Sequence, residues 1–256
     1  YQVSNFMDND DVKIIDEMGA FRVIEYQRDL SVTPSSAITA YYSAQMNVKK
    51  RQLACNLAMA PVTIQAGAMQ WMLGNVNATT GIKGVGDLFG KAVRGKVSGE
   101  SAIKPEYTGD GLLVLEPTYK YLILMNVADW GGGVVLDDGL FLACESTLQH
   151  KAVMRSNFSS AVAGGEGLFN LSLNGSGVFC IESSCPREEL IEVTLQNDVL
   201  KVDGNYAIAW SRSLEFTVER SGKSLIGSAA SGEGLVNVYR GSGKVLMMPT
   251  AKMPNI

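Results

Sequence analysis

The chain has 256 residues, of which 46% are hydrophobic and 19% charged, enough apolar side chain for a sizeable core and too much for a disordered polypeptide. Its 26 acidic residues exceed 22 basic ones, for a formal net charge of −4, so the molecule lacks the overall electrostatic footprint of a nucleic-acid binder and no nucleic acid is expected as partner. No run of 18 apolar residues and no basic stretch leading into an apolar one opens the chain, which argues against spanning a membrane or secretion and for a cytoplasmic protein.

The content of 27 Gly, with few long Ala/Leu/Glu/Lys blocks, points to turn-rich, all-β structure. In residues 1–51, VKII from Val12 and FRVIEY from Phe21 flank Asp16-Glu17-Met18-Gly19, the pattern of two strands joined by a short glycine-containing turn. The stretch 33–46 carries two signals. Thr33-Pro34-Ser35-Ser36 is able to open a helix, while the Tyr and β-branched residues of ITAYYSAQMNV favour a strand, the reading adopted here.

From Gln52 onward the sequence repeats. Gly-Glu at Gly99, Gly165 and Gly232, spaced 66 and 67 residues apart, leads each time to a Gly-x-Gly and an apolar strand: TGDGLLVLEP, NGSGVFCIES and RGSGKVLMMP. A recurrence of this length is the mark of one supersecondary unit used several times around a shared core. The units run over about 52–117, 118–183 and 188–249.

Each unit opens on a strand with alternate apolar residues (Leu53, Cys55, Leu57; Ile123, Met125, Val127; Ile191, Val193, Leu195), a period of two that places them on one face. A second strand ends at Gly67, Gly139 or Gly204, twice as Asp-Gly, the dipeptide of tight hairpins. A third strand follows, with Met69 and Trp71, Phe141 and Ala143, and Tyr206 and Ile208 at matching offsets. Packing three such units about a pseudo-threefold axis closes the core.

The first unit is longer. From its turn glycine to its Gly-Glu is a step of 32 residues, against 26 and 28 in the others, and the excess falls in a Gly-rich insert over 79–97. Within it Val85, Leu88, Phe89, Ala92 and Val93 fall at helical spacing, flanked by Lys83, Lys91, Arg94 and Lys96. Such a basic amphipathic segment either caps an open end of the β structure, or docks on a protein partner or an anionic membrane surface. GVGDLFGKA is no phosphate loop: Val85 stands where a Walker loop needs glycine, and Ala92 where it needs Ser or Thr.

The order of GAMQWMLGNV, the Gly-rich insert, TGDGLLVLEP, DDGLFLACE and the later GSG strands resembles the "altered inheritance of mitochondria 24" family over about residues 48–250. That resemblance implies a fold like the trp RNA-binding attenuation protein, a double-stranded β-helix type sandwich, here with three repeats in one chain and an N-terminal extension over 1–51 packed on a domain over 52–256. It implies no reaction or substrate. Fungal relatives, associated with mitochondrial inner-membrane organisation, favour scaffolding over catalysis.

The remaining chemistry-bearing residues form no catalytic constellation. Glu100, Glu166 and Glu233 follow the repeated glycines and are read as turn residues, the alternative being a converged acidic or cation site. His150 is the sole histidine, expected on a solvent-facing loop. Cys55, Cys144, Cys180 and Cys185 include no CxxC pair and are read as reduced thiols, and no metal or cofactor is assigned. Trp71, Trp130 and Trp210 are read as core and rim packing. The expectation is a non-catalytic binding or scaffolding protein that self-associates as a homo-oligomer or docks a partner. The alternative is a small-molecule or metal-binding protein, an enzyme included, using the glutamates or a pocket under the insert.

Overall fold

A computed structural model describes residues 1–29, 31–80, 104–154, 169–204, 206–220 and 235–250. As expected, β1 (Val12–Met18) and β2 (Phe21–Tyr26) form an antiparallel hairpin. Its turn uses Gly19 at φ 55°, a conformation that suits glycine. Residues 33–46 depart from the expected strand: Ala37–Gln45 is a helix, α1. The Thr33-Pro34-Ser35-Ser36 turn, not the tyrosines, decides the outcome. Ser36 and Ala37 N–H both donate to the Thr33 carbonyl, and Ser36 Oγ accepts from Thr33 N–H. No residue of α1 is buried, so no packing face imposed itself on its sequence.

Fourteen further strands follow among the described residues: β3 (Arg51–Asn56), β4 (Val62–Ile64), β5 (Met69–Thr79), β6 (Glu106–Leu115), β7 (Tyr121–Asn126), β8 (Gly133–Leu136), β9 (Phe141–Glu145), β10 (Gln149–Met154), β11 (Phe169–Asn174), β12 (Val178–Ser183), β13 (Ile191–Asp203), β14 (Ala207–Ser211), β15 (Glu215–Arg220) and β16 (Leu235–Met247). The fold is all-β. One sheet runs β1-β2-β3-β6-β4-β9-β12-β7 with β5 beside β6, and the other β10-β11-β8-β14-β16-β13 with β15 beside β16. The hairpin thus extends the first sheet by pairing β2 with β3, Val23 opposite Leu53.

The turn glycines Gly67, Gly139 and Gly204 all have positive φ, as the hairpin reading requires. The leading glycines of the Gly-x-Gly pairs, Gly109, Gly175 and Gly241, share φ values of 119°, 117° and 115°. Pairing recurs with them: Trp71 lies opposite Val114, Ala143 opposite Cys180, and Ala209 opposite Leu246, each beside a register shift. The third member is Ala209, one residue on from the Ile208 that spacing from Gly204 selects. Three backbone bonds match as well, from Glu116, Glu182 and Met248 N–H to the carbonyls of Ala68, Leu140 and Tyr206.

Two joints connect successive parts of the chain. β4 pairs with β9, Thr63 opposite Cys144, and β8 pairs with β14, Val135 opposite Trp210. Flanking bonds agree: Gln65 N–H to Leu142 O at 2.7 Å and Ser146 N–H to Pro61 O at 2.8 Å at the first, Asp137 N–H to Ile208 O at 2.9 Å and Arg212 N–H to Gly133 O at 3.0 Å at the second.

Alternation predicted one buried face for the opening strands, and here the structure differs. In β3, Leu53 and Cys55 join one core with Phe21, Ile64 and Leu113, while Ala54 joins another with Ile24 and Val114. In β7, Leu122 and Leu124 join the first of these, while Ile123 and Met125 face a core with Leu136, Phe179 and Leu246. Both strands are walls between two cores, so both faces are covered. β13 is mostly exposed. A fourth cluster gathers Trp210, Phe216 and Tyr239 with ring centroids 5.2–5.3 Å apart.

Candidate interaction surface

The surface with the most distinctive chemistry is α1. Between Thr33 and Val48 no residue is charged, and the helix presents Ile38, Tyr41, Tyr42 and Met46 at 70%, 63%, 65% and 77% exposure. Spacings of three and four put Ile38, Tyr41 and Tyr42 on adjoining turns, and the two tyrosine rings meet edge to face at 5.4 Å. A groove of ≈ 600 Å³ runs along the helix, lined by Val32, Ala37, Ala40, Tyr41, Ala44 and Val48.

A helix with no buried residue needs another means of being held, and its C-terminus supplies it. Asn47 adopts the left-handed conformation at φ 61°. Its N–H donates to Ala44 O, and Val48 N–H donates to Ser43 O, the paired bonds that close a helix at a left-handed residue. Arg51, in β3 and 2% exposed, then grips that residue. Its Nη2 donates to Asn47 Oδ1 at 2.9 Å and Asn47 O at 3.2 Å, and its Nη1 to Lys49 O at 3.3 Å. Tyr121 lies under the guanidinium at 4.3 Å and donates its hydroxyl to Asn47 O.

The same guanidinium pairs with Glu25 of β2 at 2.7 Å, and Lys49 Nζ reaches that carboxylate at 3.2 Å. Burial works to raise the Glu25 carboxyl. Hydrogen bonds from Gln27 and Lys49 and the charges of Arg51 and Lys49 outweigh it and hold the group below the ordinary glutamate range. Beside it Lys50 pairs with Asp29 at 2.6 Å, and that bond, against partial burial, holds the Asp29 carboxyl low. Arg28 pairs with Asp11. Tyr26 hydroxyl donates to Gln52 Oε1 at 2.6 Å, and Gln52 Nε2 donates to Leu115 O and Gln70 Oε1. Burial pushes the Tyr26 phenol up. Hairpin, helix and β3 are thus one polar assembly.

The opposite end of the hairpin is pinned by Glu145 of β9. Its Oε1 accepts from Ala20 N–H at 3.1 Å and its Oε2 from Val178 N–H at 2.9 Å.

Lys83, Val85, Leu88, Phe89, Lys91, Arg94 and Lys96 of the insert, and the repeated Glu100, Glu166 and Glu233, all lie outside the described residues. His150 sits on β10 opposite Leu173 rather than on a loop, because 149–154 pairs along β11. Its side chain faces outward, and partial desolvation against the sheet, together with Lys104, lowers its imidazole below the ordinary value. The four cysteines are free and buried. Trp71 packs on Phe6 at 5.2 Å, and Trp130 and Trp210 are buried. Among the described residues no cluster of three His, Cys, Asp or Glu side chains has metal-binding geometry, and no helix is long and apolar enough to cross a membrane.

Arg51 and Asn47 escaped the sequence reading, although a lone Asn after Ala-Gln-Met was an available helix-stop signal.

Comparison with known proteins places the fold. The model of the family described as "Mitochondrial biogenesis AIM24" matches residues 42–250, and the hairpin lies outside that match. An uncharacterized protein of Streptococcus pyogenes serotype M6 is 31% identical over 192 residues, covering 72% of this chain and 75% of that protein. An X-ray crystal structure of a Streptococcus pyogenes protein superposes with a TM-score of 0.58 at 28% identity, over 80% of this chain and 90% of the other. With the match running through every strand from β3 to β16, the chain belongs to the AIM24 family.

Proposed function

We propose that this protein is a non-catalytic binding or scaffolding protein, acting through self-association or a protein partner, with α1 and its groove as the contact. The observation that carries this reading is the combination of exposed apolar side chains and firm anchoring at α1. Four large apolar side chains face solvent on a helix whose end is clamped by a buried arginine. Contiguous exposed apolar surface of this kind marks interaction sites, and Tyr and Met are among the residues enriched at them. The basic insert over 79–97 belongs to the same reading as a second contact for a partner or an anionic membrane surface.

The test compares wild type with Tyr41→Glu/Tyr42→Glu. Both proteins should unfold at closely similar urea concentrations, while the variant loses a partner identified by reciprocal capture and mass spectrometry. Equal recovery of the same partner by both proteins would remove α1 from the reading. Sedimentation with anionic vesicles, comparing wild type with Leu88→Asp/Phe89→Asp, tests the insert.

A further inference from the structure

We infer that a second copy of this chain pairs along the outer edges of β13 and β5, joining copies head to tail through a joint that the chain already uses twice within itself. The inference rests on the self-association arm of the reading above and gives it a surface separate from α1.

The register carries the argument. Val62, Val134 and Leu200 hold equivalent positions, opposite Tyr107, Leu173 and Tyr239, and these three precede the leading Gly-x-Gly glycines by two residues each. Trp71, Ala143 and Ala209 are equivalent by the shared register shift. The two internal joints set Thr63 against Cys144 and Val135 against Trp210. The same step applied once more sets Lys201 of β13 against Met72 of β5. It also aims Asp203 N–H at Gln70 O and Gly74 N–H at Val199 O, the counterparts of the flanking bonds at both internal joints.

Among the described residues that third joint is not made within the chain. β13 pairs only with β16 along 198–203, and β5 only with β6. Where the internal joints bury Thr63, Cys144, Val135 and Trp210, the open ends leave Lys201 exposed and Met72 44% exposed, with Met69 and Val199 also exposed. A row of unpaired backbone groups beside apolar side chains is a template for another strand. Among the described residues the edges at β10, β15 and β1 have no such precedent. A joint between unlike surfaces is heterologous, so copies add until the rotation closes a ring or extend as a filament.

The experiment uses the full chain. Wild type should show a concentration-dependent rise in mass by light scattering. Met72→Lys, which sets like charges opposite each other, should raise the midpoint of that rise several-fold, and Met72→Lys/Lys201→Glu should restore it. Under mild oxidation a mixture of Met72→Cys and Lys201→Cys chains should give a covalent dimer, while either variant alone should not. Three results overturn the inference: a single-chain mass at all concentrations, a midpoint indifferent to Met72→Lys, or a Met72→Cys/Lys201→Cys chain that closes only on itself. If the edges fail while α1 still holds a partner, scaffolding survives and this joint does not. If α1 fails while the mixed cross-link forms, the joint stands without that contact.

Discussion

Arg51 Nη2 lies 2.7 Å from Glu25 Oε2, with both side chains nearly closed off from solvent at 2% and 9% exposure. Removing the arginine leaves a buried carboxylate to Lys49 among the described residues and strips Asn47 of its anchor. Breaking a buried pair in this way costs about 3–5 kcal/mol. Arg51→Ala should therefore lower the urea midpoint sharply, and Arg51→Lys should recover only part of it, since an ammonium lacks the planar fork that reaches Glu25 and Asn47 together. Equal midpoints for wild type and Arg51→Ala would contradict this account.

The acidic partners set the pH response. Glu25 and Asp29 both titrate below their ordinary ranges in the folded chain. The stability they contribute is present in full above the unfolded-state values, roughly pH 4. It is lost as pH falls from there through the folded-state values, because the unfolded chain binds those protons first. Thermal midpoints measured between pH 7 and pH 3 should fall more steeply for wild type than for Glu25→Gln, the two curves converging at the acid end.

Glu145 makes a separate prediction at the hairpin turn. With its carboxylate replaced, Glu145→Ala leaves the amides of Ala20 and Val178 without their acceptor, at about 1–3 kcal/mol for each group that stays dry. Amide exchange at Ala20 should accelerate in the variant while that of Val238 in β16 lags behind it. Gly19→Ala should act at the same place. Its Cβ would fall 2.3 Å from Glu145 Oε1, on a residue with φ near +55°.

Trp210 tests the aromatic cluster in the second sheet. It is 2% exposed between Phe216 and Tyr239, so Trp210→Ala should cost about 3–5 kcal/mol. A drop under 1 kcal/mol by urea unfolding would show that the cluster closes over the gap.

Thiol chemistry gives a fifth measurement. Burial pushes Cys144 up to about 12, and Cys55 and Cys180 also lie well above the ordinary thiol value. Since the thiolate is the reactive form, a disulfide reagent at pH 8 should titrate four sulfhydryls in denaturant and essentially none rapidly in the native protein.

Much of the fold could be read from residue order. The hairpin at 12–26 was visible because its turn and its apolar residues agree, and the glycines at 67, 139 and 204 marked turns because few other residues adopt positive φ. Three things were hidden. Tyr41 and Tyr42 favoured a strand because their β preference usually reflects a half-buried sheet surface, and here they lie on a helix that buries nothing. Alternation in β3 and β7 suggested one covered face, but Ala54 and Leu124 also pack, because cores on both sides are a tertiary fact. Asn47 and Arg51 meet through a short loop, and no spacing rule announces that an arginine on a strand will hold a helix end. The glutamates and the insert, prominent in the sequence, stand outside the described residues.

The clamp at Asn47 bears on how tightly anything can bind α1. Affinity is eroded whenever a contact element must be ordered on docking. Here the helix axis is already fixed by a guanidinium rooted in the sheet, so a partner meets a preorganised platform. Substitutions deep in β2 or β3, far from the tyrosines, should then weaken binding by letting the platform tilt.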